Sequence, residues 1–262
     1  MQEFIALGFP GTQLSKQTIS RHLLGILHTV KQVRIKPSTC NSDENKVKRK
    51  EFAAALVEYQ RNGDFIVYYD ETNFNIYCHR SVGRSKQRTR TTIVLPPWKG
   101  PNLQVQCAVS AEVGIVSNRL ERGSIKMDKN AQFVEEVYRA AKASEAYTAS
   151  FVGKKVVIVL DNAPHDDLVL LRLGPYSPML NPIESCFSVL KAKIKGYLAE
   201  RTNLLFDRRD FNSYLESRMR LLEEAATECL PRITQSLVIR EAMFCQRNIE
   251  KALNLENMQY GN

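Results

Sequence analysis

The chain has 262 residues, 44% hydrophobic and 25% charged, a balance that excludes disordered and fibrous classes and leaves a globular protein able to bury a core. No run approaches the roughly 18 consecutive apolar residues of a spanning helix, and Met1-Gln2-Glu3-Phe4 opens no signal sequence, so no membrane partner is expected and the protein is expected inside the cell, in the nucleus if eukaryotic. Thirty-seven Lys and Arg against 28 Asp and Glu leave a net charge of +9, which points to a polyanionic partner or, in the alternative, to surplus lysine kept for solubility.

In chain order, Ser15 is expected to cap a helix with Ile19, Leu23, Ile26 and Leu27 on one face. Its polar side carries Lys16, Gln17, Ser20 and Arg21, the kind of surface a recognition helix turns to phosphates and base edges; a plain surface helix is the alternative. Gly8-Phe9-Pro10-Gly11 leaves little room for a preceding helix, so a truncated helix-turn-helix with its linker is expected over 1–45. Lys46-Val47-Lys48-Arg49-Lys50 then opens a helix with Phe52, Leu56 and Tyr59 inward, the basic run reading as a solvated helix end.

Phe65-Ile66-Val67-Tyr68-Tyr69 is a continuous apolar run ending on Asp70, as in a strand buried on both faces. Further strands are expected over 75–79, 91–95, 102–110 and 114–120, forming an antiparallel meander. Asn130 is expected to cap a helix to about Ser144 that buries Phe133, Val134, Val137 and Ala141. A second apolar run, Val156-Val157-Ile158-Val159-Leu160, ends on Asp161. From Asn181 a helix carries Ile183, Phe187, Leu190, Ile194 and Leu198 at helical spacing, and further helix follows from about Asp207 to Asn257. Leu221-Leu222-Glu223-Glu224 reads as a solvated helix face. The six cysteines lie far apart without a Cys-x-x-Cys pair and read as reduced, mostly buried thiols.

Two aspartates at the carboxyl ends of buried strands stand where α/β sheets gather their ligands. Together they could hold a divalent cation through hard oxygen donors, with Glu184 as the third carboxylate. Asn181-Pro182-Ile183-Glu184 is equally a capped helix start that needs no catalysis.

Three ordered segments carry a resemblance. Asp70-Glu71-Thr72-Asn73-Phe74, Val159-Leu160-Asp161-Asn162-Ala163-Pro164-His165 and Pro175-Tyr176-Ser177-Pro178-Met179-Leu180-Asn181-Pro182-Ile183-Glu184 resemble the catalytic blocks of mariner-type DDE transposases. The resemblance implies an α/β fold with a ribonuclease H-like mixed sheet flanked by helices. To that fold the sequence adds the truncated helix-turn-helix remnant at the N-terminus and extra C-terminal helices, giving an endonuclease-like domain over 46–205 and a helical extension over 206–262. It implies Asp70, Asp161 and Glu184 as catalytic and metal-binding residues, Mg2+ or Mn2+ in a two-metal site, and DNA cleavage and strand transfer. The implied partners are double-stranded DNA at transposon ends and a second copy of the chain on that DNA. Arg80, Arg84, Lys86, Arg88 and Arg90 crowd one loop where a DNA backbone could pass, with a solvated loop as the alternative. His165 could contact a phosphate, and Trp98 is expected to be a packing plug.

The interval from Asp161 to Glu184 is 23 residues (184 − 161), shorter than is usual in the family. Only 161–167 separate the second apolar run from Leu168-Val169-Leu170-Leu171, whereas a parallel crossover takes about a dozen residues or more. Two expectations follow. Either the strand from Leu168 still pairs and the enzyme works, or the chain is a decayed or mis-spliced copy that at most binds DNA.

Overall fold

The structure is a computed structural model that describes residues 5, 7–11, 14–25, 38–79, 84–160 and 169–259. The chain divides into two compact units, 1–37 with 261–262 and 38–260. In the first, α1 (Lys16–Gly25) starts at Ser15, whose Oγ accepts the Thr18 N–H at 3.1 Å. Lys16, Gln17, Ser20 and Arg21 are exposed along it, as its polar periodicity predicts; Ile26 and Leu27 lie outside the described residues.

The second unit begins with α2 (Asp43–Arg61), entered at Ser42, whose side chain accepts the Asn45 N–H. Phe52 and Leu56 are buried on its inner face. Arg49 departs from the expectation of a solvated end: it is 1% exposed and donates to the Cys40 carbonyl at 2.6 Å and to Asn41 Oδ1 at 3.2 Å. Burying a charged side chain is costly unless hydrogen bonds offset its desolvation, and these supply them. Asn41 also exchanges two hydrogen bonds with the Met258 backbone, at 3.1 and 3.0 Å, so the far end of the chain is fastened beside Arg49.

A five-stranded sheet of order β3-β2-β1-β4-β5 forms the centre. β1 (Phe65–Phe74), β2 (Leu103–Ser110) and β3 (Gly114–Arg122) are antiparallel neighbours, while β4 (Val156–Leu160) runs parallel to β1 and β5 (Val169–Arg172) parallel to β4. β1 does not stop at Asp70. Its parallel pairing with β4 includes Tyr68 opposite Val159, but its pairing with β2 continues to Phe74 opposite Leu103, and this longer partner carries the strand onward. The strands expected over 75–79 and 91–95 do not form. Asn75 Oδ1 accepts the Tyr77 N–H at 2.9 Å, an Asx turn that ends the ladder, and the second stretch runs without a strand partner into Pro96 and Pro97, with Ile93 and Val94 exposed. Trp98 is 58% exposed, not a plug.

α3 (Met127–Ala143) starts a turn earlier than expected, because Asn130 points its Oδ1 at Tyr69 and Gln106 instead of capping a helix. With α4 (Glu145–Ser150) it covers one face of the sheet, over Phe65, Val67, Tyr69, Ala108, Ile158 and Leu160. The other face, with Tyr68, Phe74, Val105, Cys107 and Val159, lies beneath α2 together with α5 (Pro182–Glu200), α6 (Tyr214–Cys229) and α7 (Gln235–Leu253). The C-terminal helices thus pack on this core. Leu221 and Leu222 are buried, and Glu223 of the same stretch pairs with Arg122.

All six cysteines are free; five are buried and Cys78 is half-buried. Burial pushes the Cys107, Cys186 and Cys245 thiols up to about 12. Among the described residues no helix is long and apolar enough to cross a membrane.

Candidate active site

Side chains alternate across a strand, so Asp70 shares the face of Tyr68 and Phe74, the face beneath α5. It stands opposite Cys107 in the β1–β2 register and is half-buried, and its Oδ1 accepts the Glu71 backbone N–H at 2.8 Å. Asp70 therefore sits two residues past the Tyr68–Val159 parallel pair, while β2 continues to hold the backbone beneath it.

Glu184 is the third residue of α5. Asn181 opens that helix: its Oδ1 accepts the Ile183 N–H at 3.4 Å and its carbonyl accepts the Glu184 N–H at 3.3 Å, with Pro182 in the first turn. Ile183, Cys186, Phe187, Leu190, Ile194 and Leu198 are buried, so the apolar stripe read from the sequence presses α5 onto the Tyr68–Val159 side of the sheet. Glu184 is exposed at the start of that stripe, and a carboxylate in the first turn is favoured by the helix dipole. Asp70 and α5, whose first turn carries Glu184, thus lie on one side of the sheet.

Asp161 and His165 lie outside the described residues, as does Arg80. β4 ends at Leu160, β5 pairs with it through Leu160 opposite Arg172, and the Leu173 N–H extends the ladder by donating to the Leu160 carbonyl at 3.0 Å. In sequence, Asp70 and Asp161 each stand two positions beyond the Tyr68–Val159 pair. Among the described residues no group of three His, Cys, Asp or Glu side chains could hold a metal ion. Asp70 and Glu184 are carboxylates, the donor type that hard cations such as Mg2+ and Mn2+ take.

The basic loop after β1 keeps Arg84, Lys86, Arg88 and Arg90 fully at the surface. It is locally ordered: Thr89 donates from both its backbone N–H and its hydroxyl to the Lys86 carbonyl, at 3.0 and 2.6 Å, and Arg88 takes φ 71°. Lys16, Gln17, Ser20 and Arg21 belong to the other unit. Sequence reasoning gave Tyr176 no role of its own. It has φ 53° and is 47% exposed in the loop between β5 and α5; the flanking prolines signal a turn but not a left-handed tyrosine.

A family model described as DDE superfamily endonuclease matches residues 65–204, more than half of the chain. No curated protein matches it in sequence. Among solved structures it is similar to the Mos1 mariner paired end complex with Mn, at 18% identity and a TM-score of 0.61 over 97% of this chain and 73% of that one. A pre-cleavage Mos1 transpososome gives 17% and 0.62 over 99% and 75%. The catalytic domain of Mos1 mariner transposase gives 17% and 0.52 over 87% and 100%. The mixed five-stranded sheet with helices on both faces is therefore the ribonuclease H-like fold of that transposase, and the chain belongs to the DDE superfamily endonucleases.

Proposed function

We propose that this chain is a metal-dependent DNA endonuclease of transposition, with Asp70, Asp161 and Glu184 as its three carboxylates and transposon-end DNA as its substrate. The observation that carries the reading is the parallel pairing of β5 with β4. The short stretch between them does not prevent the strand from joining the sheet, and the loop after β5 leads to α5, whose first turn carries Glu184. Support also comes from Asp70 and that helix lying on one side of the sheet, and from similar structures described as paired end, transpososome and strand transfer complexes, two of them with Mg or Mn.

Asp70 and Glu184 would offer carboxylate oxygens to Mg2+ or Mn2+, with Asp161 completing the set. A bound cation of this kind supplies Lewis-acid polarisation of a phosphate and stabilises a leaving oxygen. The protein's part is to hold the carboxylates on a rigid strand and a capped helix, and to bind the DNA backbone through Arg84, Lys86, Arg88 and Arg90 and through the polar side of α1. A second copy of the chain on the same DNA belongs to this reading.

One observation favours a second reading, a DNA-binding protein without cleavage: Val169, Leu170 and Leu171 of β5 are only half-buried, so this edge of the sheet is thinly covered. Manganese-dependent nicking of a supercoiled plasmid separates the two. The parent chain is expected to nick, and Asp70→Asn, Asp161→Asn and Glu184→Gln to fall to the blank rate while still retarding DNA at low salt. A parent no faster than these variants leaves the binding protein.

A further inference from the structure

Tyr69 and Glu71 flank Asp70 in β1, and their side chains share the opposite face of the sheet from Asp70, the face under α3. A polar row crosses that face: Glu71 stands opposite Gln106 of β2, and Gln106 opposite Arg119 of β3. Gln106 and Tyr69 are buried, and the Tyr69 ring lies 5.3 Å from that of Phe133.

Each hydrogen bond along the row has its direction set by the one before it. A guanidinium only donates, so Arg119 Nε gives to Gln106 Oε1 at 3.1 Å. The other end of that amide, Nε2, therefore donates to the Tyr69 oxygen at 2.8 Å. The phenol has one proton to give, and Glu71 Oε1 at 2.8 Å, a charged acceptor, takes it ahead of the neighbouring Asn130 Oδ1. Glu71 in turn donates its backbone N–H to Asp70 Oδ1 at 2.8 Å. The residue that ends the chain of bonds thus also holds one oxygen of the Asp70 carboxylate. A bond between the side chains at 69 and 71, on one face of a strand, restrains the backbone of the residue between them as well. Packing alone needs none of this, since apolar side chains would fill the same space without the desolvation that buried polar groups cost. What a fully paired network adds is a single defined orientation.

We propose that Tyr69 is a positioning residue for Asp70: its hydroxyl fixes Glu71, and through the Glu71 N–H it sets the direction in which the Asp70 carboxylate meets a divalent cation. This rests on the endonuclease reading above and adds the group that orients one of its carboxylates. Tyr69→Phe deletes the hydroxyl and keeps the ring against Phe133, and Glu71→Ala deletes the acceptor. Glu71→Gln keeps an oxygen for the phenol.

The test titrates the full chain with Mn2+ in the absence of DNA and reads free Mn2+ by its electron-spin resonance. Tyr69→Phe and Glu71→Ala are each expected to bind Mn2+ roughly ten-fold more weakly, as when the hydrogen-bond partner of a metal ligand is lost. Because the two changes break one bond, the double variant is expected to be no weaker than either. Glu71→Gln is expected to bind as the parent does. Gln106→Ala separates positioning from stability: it loosens the network but leaves Tyr69 its bond to Glu71, so it is expected to unfold more easily and still bind Mn2+ as the parent does. In nicking, Tyr69→Phe is expected to need about ten-fold more Mn2+ for its half-maximal rate and to reach the parent's kcat at saturation. Additive losses in the double variant overturn the proposal, as does an equal loss in Gln106→Ala. A parent that binds Mn2+ no better than Asp70→Asn overturns the endonuclease reading and this proposal with it, whereas a parent that binds beside an unaffected Tyr69→Phe overturns this proposal alone.

Discussion

On one face of the sheet, Tyr68, Phe74, Val105, Cys107 and Val159 lie under four helices, α2, α5, α6 and α7; on the other, Phe65, Val67, Tyr69, Ala108 and Ile158 lie under α3 and the short α4. The four-helix face is almost wholly apolar and its helices also pack on one another. The two-helix face relies on rings and on a buried polar network. Tyr69 and Phe133 lie 5.3 Å apart, Arg119 stands 5.1 Å over the Phe133 ring, and Gln106 joins the Tyr69 hydroxyl at 2.8 Å to the Arg119 Nε at 3.1 Å. Burial raises the Tyr69 pKa, so the phenol stays protonated and can donate to Glu71. The contrast teaches where the fold has slack. Asp70 belongs to the redundantly packed face, while the residues on either side of it, Tyr69 and Glu71, belong to the face held by few contacts.

If that contrast is right, the largest loss comes from the thin side. Phe133→Ala removes a fully buried ring together with the surface on which Tyr69 and Arg119 rest, and is expected to cost about 3–5 kcal/mol in urea unfolding. Leu190→Ala, also fully buried but surrounded by helices that can move inward, is expected to cost less, towards the lower end of about 2–5 kcal/mol. A larger loss for Leu190→Ala would reverse the comparison. Gln106→Ala comes next, at about 1–3 kcal/mol, because Tyr69 keeps Asn130 and Glu71, and Arg119 keeps the Lys129 carbonyl, after the amide is gone. No measurable change on Gln106→Ala would mean that the network follows the packing of the thin face instead of supporting it.

The thick face was also the more legible of the two in the sequence. The stripe Ile183, Phe187, Leu190, Ile194 and Leu198 gives α5 and its buried side by spacing alone, and the structure buries every member. The apolar runs at 65–69 and 156–160 give β1 and β4 for the same reason. What periodicity could not show was long-range pairing. Asp70 lies inside β1 instead of ending it because β2 outlasts β4 as a partner, a fact about register and not about local pattern. Asn130 looked like a cap because short polar residues favour that position, yet Tyr69 and Gln106, distant in sequence, claim its side chain. Arg49 lay in a basic run typical of solvated helix ends, and only the Ser38–Asn41 turn, which brings the Cys40 carbonyl to it, explains its burial. Of the site itself, the residue types and their order were legible; the left-handed Tyr176 was not, because the sign of φ in a Pro-flanked turn is set by what pins the loop on both sides.

The smallest expected effect lies where the sheet meets the thick layer at the surface. Arg122 of β3 donates to Glu216 at 2.6 and 3.0 Å and to Glu223 at 2.5 and 3.0 Å, both on α6, and Arg220 donates to the same two carboxylates at 2.9 and 3.3 Å. The Arg122 hydrogen bonds hold the Glu216 carboxyl below its ordinary range. A carboxyl lowered on folding adds stability that is present above its unfolded pKa, about 4.3, and is lost as pH falls through the lowered folded value. The urea midpoint of the parent is therefore expected to drop between about pH 5 and pH 3, and the drop to be smaller in Arg122→Gln. The pairs are solvent-exposed, so salt near 1 M, where the Debye length is about 3 Å, should bring the two proteins together. Glu44 is lowered by Lys48 in the same direction and is common to both proteins, so it cancels in the difference. An identical acid dependence in parent and variant would mean that α6 is held to the sheet by Leu221, Leu222 and Ala225 alone, and that the ion pairs follow the packing.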